Sequence, residues 1–132
     1  MKKMLIVDDS IGWVNHHMEC IKTLYPDIFE IDTANSAGSA NDLLYGYTEN
    51  PYDIILTDMQ METDYLPLLA GEWLIEQIQL MKEYINTKIV IISASPHIKL
   101  IAEKYNVDYI PKYNCRELKS YRLLENISDK KI

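Results

Sequence analysis

The chain has 132 residues, 48% of them apolar and 25% charged, the composition of one globular domain with a buried core. That excludes a disordered chain, a collagen-like repeat and a disulfide scaffold. With 13 basic against 20 acidic residues the net charge is -7, so the surface repels phosphate backbones and anionic membranes, and neither nucleic acid nor lipid is an expected direct partner.

Taken in chain order, the apolar pattern alternates between strands and helices. The opening Met-Leu-Ile-Val at 4–7 is aliphatic throughout, as in a strand covered on both faces. It is also too short for a signal-peptide core, and no later stretch reaches transmembrane length, so the cytoplasm is the expected compartment. Val14, Met18, Ile21 and Tyr25 recur at helical spacing and stop before Pro26. Residues 29–33 alternate apolar and polar, which suits a sheet edge. Ala40, Leu43 and Leu44 mark a second helix with Asn35 or Ser36 as its cap. Ile54, Ile55 and Leu56 form the third strand, and Leu74, Ile78, Met81 and Ile85 a third helix starting near Gly71. A fourth strand at 89–92 leads to a short helix through Ile98, Ile101, Ala102 and Tyr105, with Pro96 in its first turn and Asn106 as a left-handed stop. Tyr109 and Ile110 make a fifth strand, and Leu118, Tyr121 and Leu124 a last helix. Cys20 and Cys115 have no metal-ligand spacing and are expected to be reduced, buried or half-buried thiols.

Five βα units with right-handed crossovers give an α/β fold, a doubly wound five-stranded parallel sheet, and the flavodoxin-like order 2-1-3-4-5 is the one expected. Ligands bind such sheets beyond the carboxyl ends of the strands where the order reverses, here between the first and third strands. Asp8 and Asp9 follow the first strand, Asp58 follows the third, Ser93 ends the fourth and Lys112 follows the fifth. Three clustered carboxylates resist full ionisation, and a hard divalent cation with oxygen ligands relieves that repulsion. One acid beside such a cation can attack a phosphoryl group in line, with a lysine and a hydroxyl neutralising the equatorial oxygens. The fold rule and these residues thus point to a Mg²⁺-assisted aspartyl-phosphate site, with Mn²⁺ able to stand in.

Four segments carry a family resemblance: Leu5-Ile6-Val7-Asp8-Asp9-Ser10, the run from Tyr52 through Asp58 to Met61, Ile89-Val90-Ile91-Ile92-Ser93-Ala94, and Asp108-Tyr109-Ile110-Pro111-Lys112. In this order and at strand ends they resemble the receiver domain of two-component response regulators, over nearly the whole chain. The resemblance implies a single receiver domain over 1–132 of the stand-alone type, with no output domain. It implies Asp58 as phosphoacceptor and Mg²⁺ held by Asp9, Asp58 and the backbone carbonyl of Gln60, with Asp8 acting through water. Ser93 becomes the switch hydroxyl, Tyr109 the switch aromatic and Lys112 the phosphate partner. The donor is a sensor histidine kinase or a phosphotransfer protein, and the output a downstream protein target. Catalysis is limited to self-catalysed phosphoryl transfer and autodephosphorylation.

The chain departs from the family pattern at several points. Glu62 stands where proline is usual, and the stretch from Asp58 to Gly71 is longer than usual, placing 61–70 beside the acceptor as a gate, a partner site or a tolerated insertion. Tyr113 follows Lys112 where the family has a proline joined by a cis bond, so the bond is either cis under strain or trans with a different approach of the lysine. The fourth helix is about a turn short of the usual length. A receiver-like module that no longer cycles is disfavoured because every acid and the lysine are present. A Mg²⁺-dependent phosphatase is disfavoured because Gln60 stands where a general acid is needed. His16 and His17 are expected on the surface, Trp13 in packing near Asp9, Asp53 in a turn or cap, and 129–131 at a frayed end.

Overall fold

A computed structural model describes residues 1–60 and 70–127. Residues 61–69, most of the long stretch beside Asp58, and the terminal charge run lie outside the described residues. The strands are β1 (Lys2–Val7), β2 (Phe29–Ala34), β3 (Ile54–Asp58), β4 (Lys88–Ser93) and β5 (Asp108–Pro111). The helices are α1 (Ile11–Leu24), α2 (Ala37–Gly46), α3 (Ala70–Leu80) and α4 (Ile98–Tyr105). All strand pairs are parallel, in the expected order β2-β1-β3-β4-β5.

The aliphatic runs are continuous because both faces of the central strands are covered. Leu5, Val7, Ile55, Ile89 and Ile91 point to one face and pack with Leu44 of α2, Leu74 and Ile78 of α3 and Ile98 of α4. Their neighbours Met4, Ile6, Ile54, Leu56, Val90 and Ile92 point to the other, against Ile21 of α1 and Tyr121 and Leu124 near the C-terminus. β2 and β5 form the edges. Asp53 ties three strands at their start: its carboxylate accepts from Lys3 N–H at 2.8 Å, its own N–H donates to Lys3, and its carbonyl accepts from Lys88 N–H at 3.0 Å.

Helix ends follow local chemistry. Ser10 caps α1, accepting from Trp13 N–H, and Ser36 caps α2, accepting from Ser39 N–H at 3.0 Å. Asn106 ends α4 in the left-handed region, φ 55°, as expected. Three boundaries differ from the sequence reading. The third helix stops at Leu80, because Tyr84 turns inward on a 3₁₀ turn (Lys82–Tyr84) and donates from its hydroxyl to Leu44 carbonyl, leaving Ile85 81% exposed. Pro96 precedes the fourth helix and is not in it: Ser93 and Ser95 hydroxyls take the N–H groups of Ser95 and His97, and α4 starts at Ile98. The last helical stretch is 3₁₀ in form, Lys112–Arg116 and Leu118–Ile127. Its apolar residues recur every third position, which stacks side chains on one face of a three-residue turn, and Tyr121 and Leu124 are buried there.

Candidate functional site

Strand β1 ends at Val7 and delivers Asp8 and Asp9 to the carboxyl edge of the sheet. β3 brings Asp58 there, since Thr57 pairs with Val7 and Asp58 with Ile92 of β4. One oxygen from each of Asp8, Asp9 and Asp58 falls within 4.8 Å of the other two. Asp8 and Asp58 are buried, and Asp9 is half-buried. A crevice of about 540 Å³ opens beside Asp8 and Asp9, walled by Ile11, Val14 and Ser39 among others.

Each acid is held differently. Asp8 Oδ1 accepts from Ser10 N–H at 2.9 Å. Asp58 Oδ1 faces the N–H of Gln60 at 3.5 Å, and its Oδ2 lies 3.6 Å from the Lys112 ammonium. Burial pushes the Asp58 carboxyl up to about 6, and the charge of Asp8 adds to the rise; Lys112 and the Gln60 N–H act against it, and Asp9 raises it further. A cation held among the three acids would relieve the repulsion that raises Asp58. The donor set is oxygen only, which fits a hard divalent ion.

Lys112 reaches Asp58 although no cis peptide bond occurs among the described residues, so the Lys112–Tyr113 bond is trans. Its stem follows Pro111, which pairs with Ser93, and its ammonium also sits 5.2 Å from the centre of the Trp13 ring. Trp13 packs as expected, against the α1-side core, and additionally steers the lysine. Ser93 is buried, and its Oγ accepts from Ser95 N–H at 3.0 Å, which leaves its own proton for another acceptor. Tyr109, paired with Ile91, is half-buried against the α2–α4 side of the core. Gln60 follows Asp58 by two residues and is exposed.

The α3 backbone closes on the acceptor. Gly71 N–H donates to Met59 carbonyl at 3.2 Å. A Cβ on Gly71 would stand 2.5 Å from Met59 Cα and 2.7 Å from the Asp58 carbonyl oxygen, so glycine is required for this approach.

The expectation for the histidine pair is overturned for His17. It is 1% exposed, with Nε2 3.6 Å from Asp8 Oδ2 and Nδ1 2.7 Å from the Tyr121 hydroxyl. His16 is half-buried, its ring against the Cys115 carbonyl and the Cys20 thiol. The signal was present in the spacing: positions 14, 17 and 21 share one face of α1, and all three are buried. Both cysteines are free and buried, as expected. A larger cavity, about 690 Å³, opens at the amino end of β4 and β5, where Lys88 is already matched by Asp108 and the Leu123 carbonyl.

Solved structures share this architecture. Over 99% of its length the chain aligns with 98% of a response regulator receiver domain from Clostridium thermocellum, at a TM-score of 0.75 and 21% identity. It aligns over 92% of both chains with the Mn²⁺-bound form of response regulator Rcp1, TM-score 0.73 and 18% identity. Over 97% of this chain and 91% of the other it aligns with the phosphorylated cyanobacterial phytochrome response regulator RcpA, TM-score 0.74 and 19% identity. No protein-family model and no curated protein matches the sequence. With its strand order, and with its acids brought together at the carboxyl edge of the sheet, the chain has the fold of response-regulator receiver domains.

Proposed function

We propose that the chain is a phosphoacceptor receiver in a two-component relay, phosphorylated on Asp58. The observation that carries this is the buried Asp58 carboxylate set among Asp8, Asp9 and the Lys112 ammonium at the carboxyl edge of the sheet. Asp9, Asp58 and the Gln60 carbonyl would hold Mg²⁺, or Mn²⁺ in its place, with Asp8 holding one of its waters. When bound, the cation supplies charge neutralisation to the acids and to the transferring phosphoryl oxygens.

The rest falls to this chain's own groups. The Gln60 N–H faces one Asp58 oxygen and Lys112 the other. An Asp58 oxygen forms the new P–O bond as the P–N bond to a donor phosphohistidine breaks. The electron pair leaves with the imidazole, which takes up a proton. Lys112 neutralises an equatorial oxygen, and the Ser93 hydroxyl, whose proton is not used by Ser95, donates to another. Ser93 moving toward the phosphoryl group vacates space that Tyr109 fills from its half-buried position, and the face of α4, β5 and the 3₁₀ segments changes shape for a protein partner. The donor is a sensor histidine kinase or phosphotransfer protein, and the compartment is the cytoplasm. Among the described residues no helix is long and apolar enough to cross a membrane.

Incubation with acetyl phosphate and Mg²⁺, read by intact mass, should add one phosphate to the protein and none to Asp58→Asn. Equal labelling of the variant would overturn the assignment.

A further inference from the structure

Behind the acid cluster lies a buried polar chain that the phosphoryl chemistry does not use. Asp8 is 2% exposed and His17 1%. Asp8 Oδ2 and His17 Nε2 face one another at 3.6 Å, and neither has a hydrogen-bond partner among the described residues. Buried polar atoms left unpaired are costly, so their juxtaposition needs a reason. The gap is too wide for a hydrogen bond and too narrow for an intervening water, since two hydrogen bonds of about 2.8 Å span roughly 4.5 Å. A shift of under about 1 Å closes it to a direct N–H···O contact.

The remaining contacts fix which atoms carry protons. A carboxylate opposite Nε2 demands a proton on Nε2. In the neutral ring Nδ1 is then an acceptor, and the Tyr121 hydroxyl, 2.7 Å away, is its donor. Burial keeps Tyr121 protonated. Both links therefore point the same way, from phenol to imidazole to Asp8. The Trp13 ring, stacked on His17 with centroids 5.7 Å apart, holds the imidazole in that plane.

We propose that His17 is a positioning residue of the acid site, whose Nε2–H pins Asp8 Oδ2 from behind so that Asp8 presents its remaining lone pairs to the water of the divalent cation. Tyr121 sets the tautomer that makes this possible, so the C-terminal 3₁₀ segment is part of the metal site. The inference rests on the metal-binding reading proposed above. His17 acts from the outer shell: the group of metal-capable side chains among the described residues is Asp8, Asp9 and Asp58, with no histidine in it. Outer partners of this kind change metal affinity by roughly 10–100-fold.

The test is Mn²⁺ binding at one fixed pH, with free Mn²⁺ counted by its electron paramagnetic resonance signal, alongside thermal melts in EDTA. His17→Phe keeps the ring and removes both hydrogen bonds, and should weaken Mn²⁺ binding by roughly 10–100-fold. His17→Gln restores an N–H near the Nε2 position and should stay within about threefold of the unmutated protein. Tyr121→Phe leaves His17 in place without its donor and should fall between the two. A folded His17→Phe binding within about twofold of the unmutated protein would overturn the proposal, as would Gln as weak as Phe at equal melting temperature. If His17→Phe does not fold, Tyr121→Phe decides: several-fold weaker binding supports the proposal and unchanged binding overturns it. No Mn²⁺ binding by the unmutated protein would overturn the metal-site reading itself, and this inference with it.

Discussion

Removing the negative charge of Asp58 should stabilise the metal-free protein. The carboxyl is 4% exposed, and burial with Asp8 nearby lifts it from the ordinary value of 3.8 to about 6. The native state therefore holds a proton on Asp58 that the unfolded chain has already released between pH 4 and 6. Native stability falls as pH rises through that window, by about 3 kcal/mol in all, at about 1.4 kcal/mol per pH unit of displacement. At pH 7 that whole penalty is present. Asp58→Asn keeps the size and removes the charge, so in EDTA at pH 7 it should melt higher, by on the order of 10 °C for a domain of this length. It should also lose most of the pH dependence between 4 and 6. Mg²⁺ at about ten times its dissociation constant adds about 1.4 kcal/mol to the unmutated protein and less to the variant, narrowing the gap. Calorimetric or circular-dichroism melts at pH 4, 5, 6 and 7, with and without Mg²⁺, check this. A variant that melts below the unmutated protein in EDTA, or an unmutated protein whose stability rises from pH 4 to 6 by this group's titration, would refute the clustered-carboxylate reasoning.

Three further outcomes are expected. Gly71→Ala drives a methyl into the backbone of Met59 and Asp58, atoms that cannot rotate away, and should destabilise by about 2–3 kcal/mol; a melting temperature unchanged by the substitution would show that the helix shifts freely. Lys112→Met removes the strongest influence that lowers the Asp58 carboxyl, so the titration of Asp58, followed by carboxyl ¹³C NMR, should move upward from about 6; a downward move would show that Lys112 does not act on Asp58. Beryllofluoride with Mg²⁺ should shift NMR signals from Asp58 through Ser93 to Tyr109 and on through 96–125; shifts confined to the loops around Asp9 and Asp58 would move the signalling role to the segment beside the acceptor.

The sheet was legible because its information is local and redundant. Three aliphatic runs and two shorter strand segments, with helical spacing between them, point to a doubly wound parallel sheet with right-handed crossovers, and the family resemblance supplied its order. The acids were legible for the same reason: once the strand ends are known, Asp8, Asp9, Asp58, Ser93 and Lys112 must meet at one edge. Ser36 and Asn106 also announce themselves, since capping depends on a residue's own backbone and side chain. For His17 the spacing of Val14, His17 and Ile21 marks only the buried face of α1; the packing of α1 against Tyr121 is what put the ring behind Asp8. The third helix ended early for a similar reason: its spacing continues through Ile85, yet a buried hydrogen bond from Tyr84 to Leu44, 40 residues away, pulls the chain out of register. The trans bond after Lys112 was likewise undecided by residue type, which sets only the cis penalty; how the lysine reaches Asp58 depends on Pro111 and Trp13 around it. Short-range chemistry and periodicity thus determined the sheet, the caps and the acid edge, while side chains whose partners lie far along the chain took their places only when the tertiary fold supplied those partners.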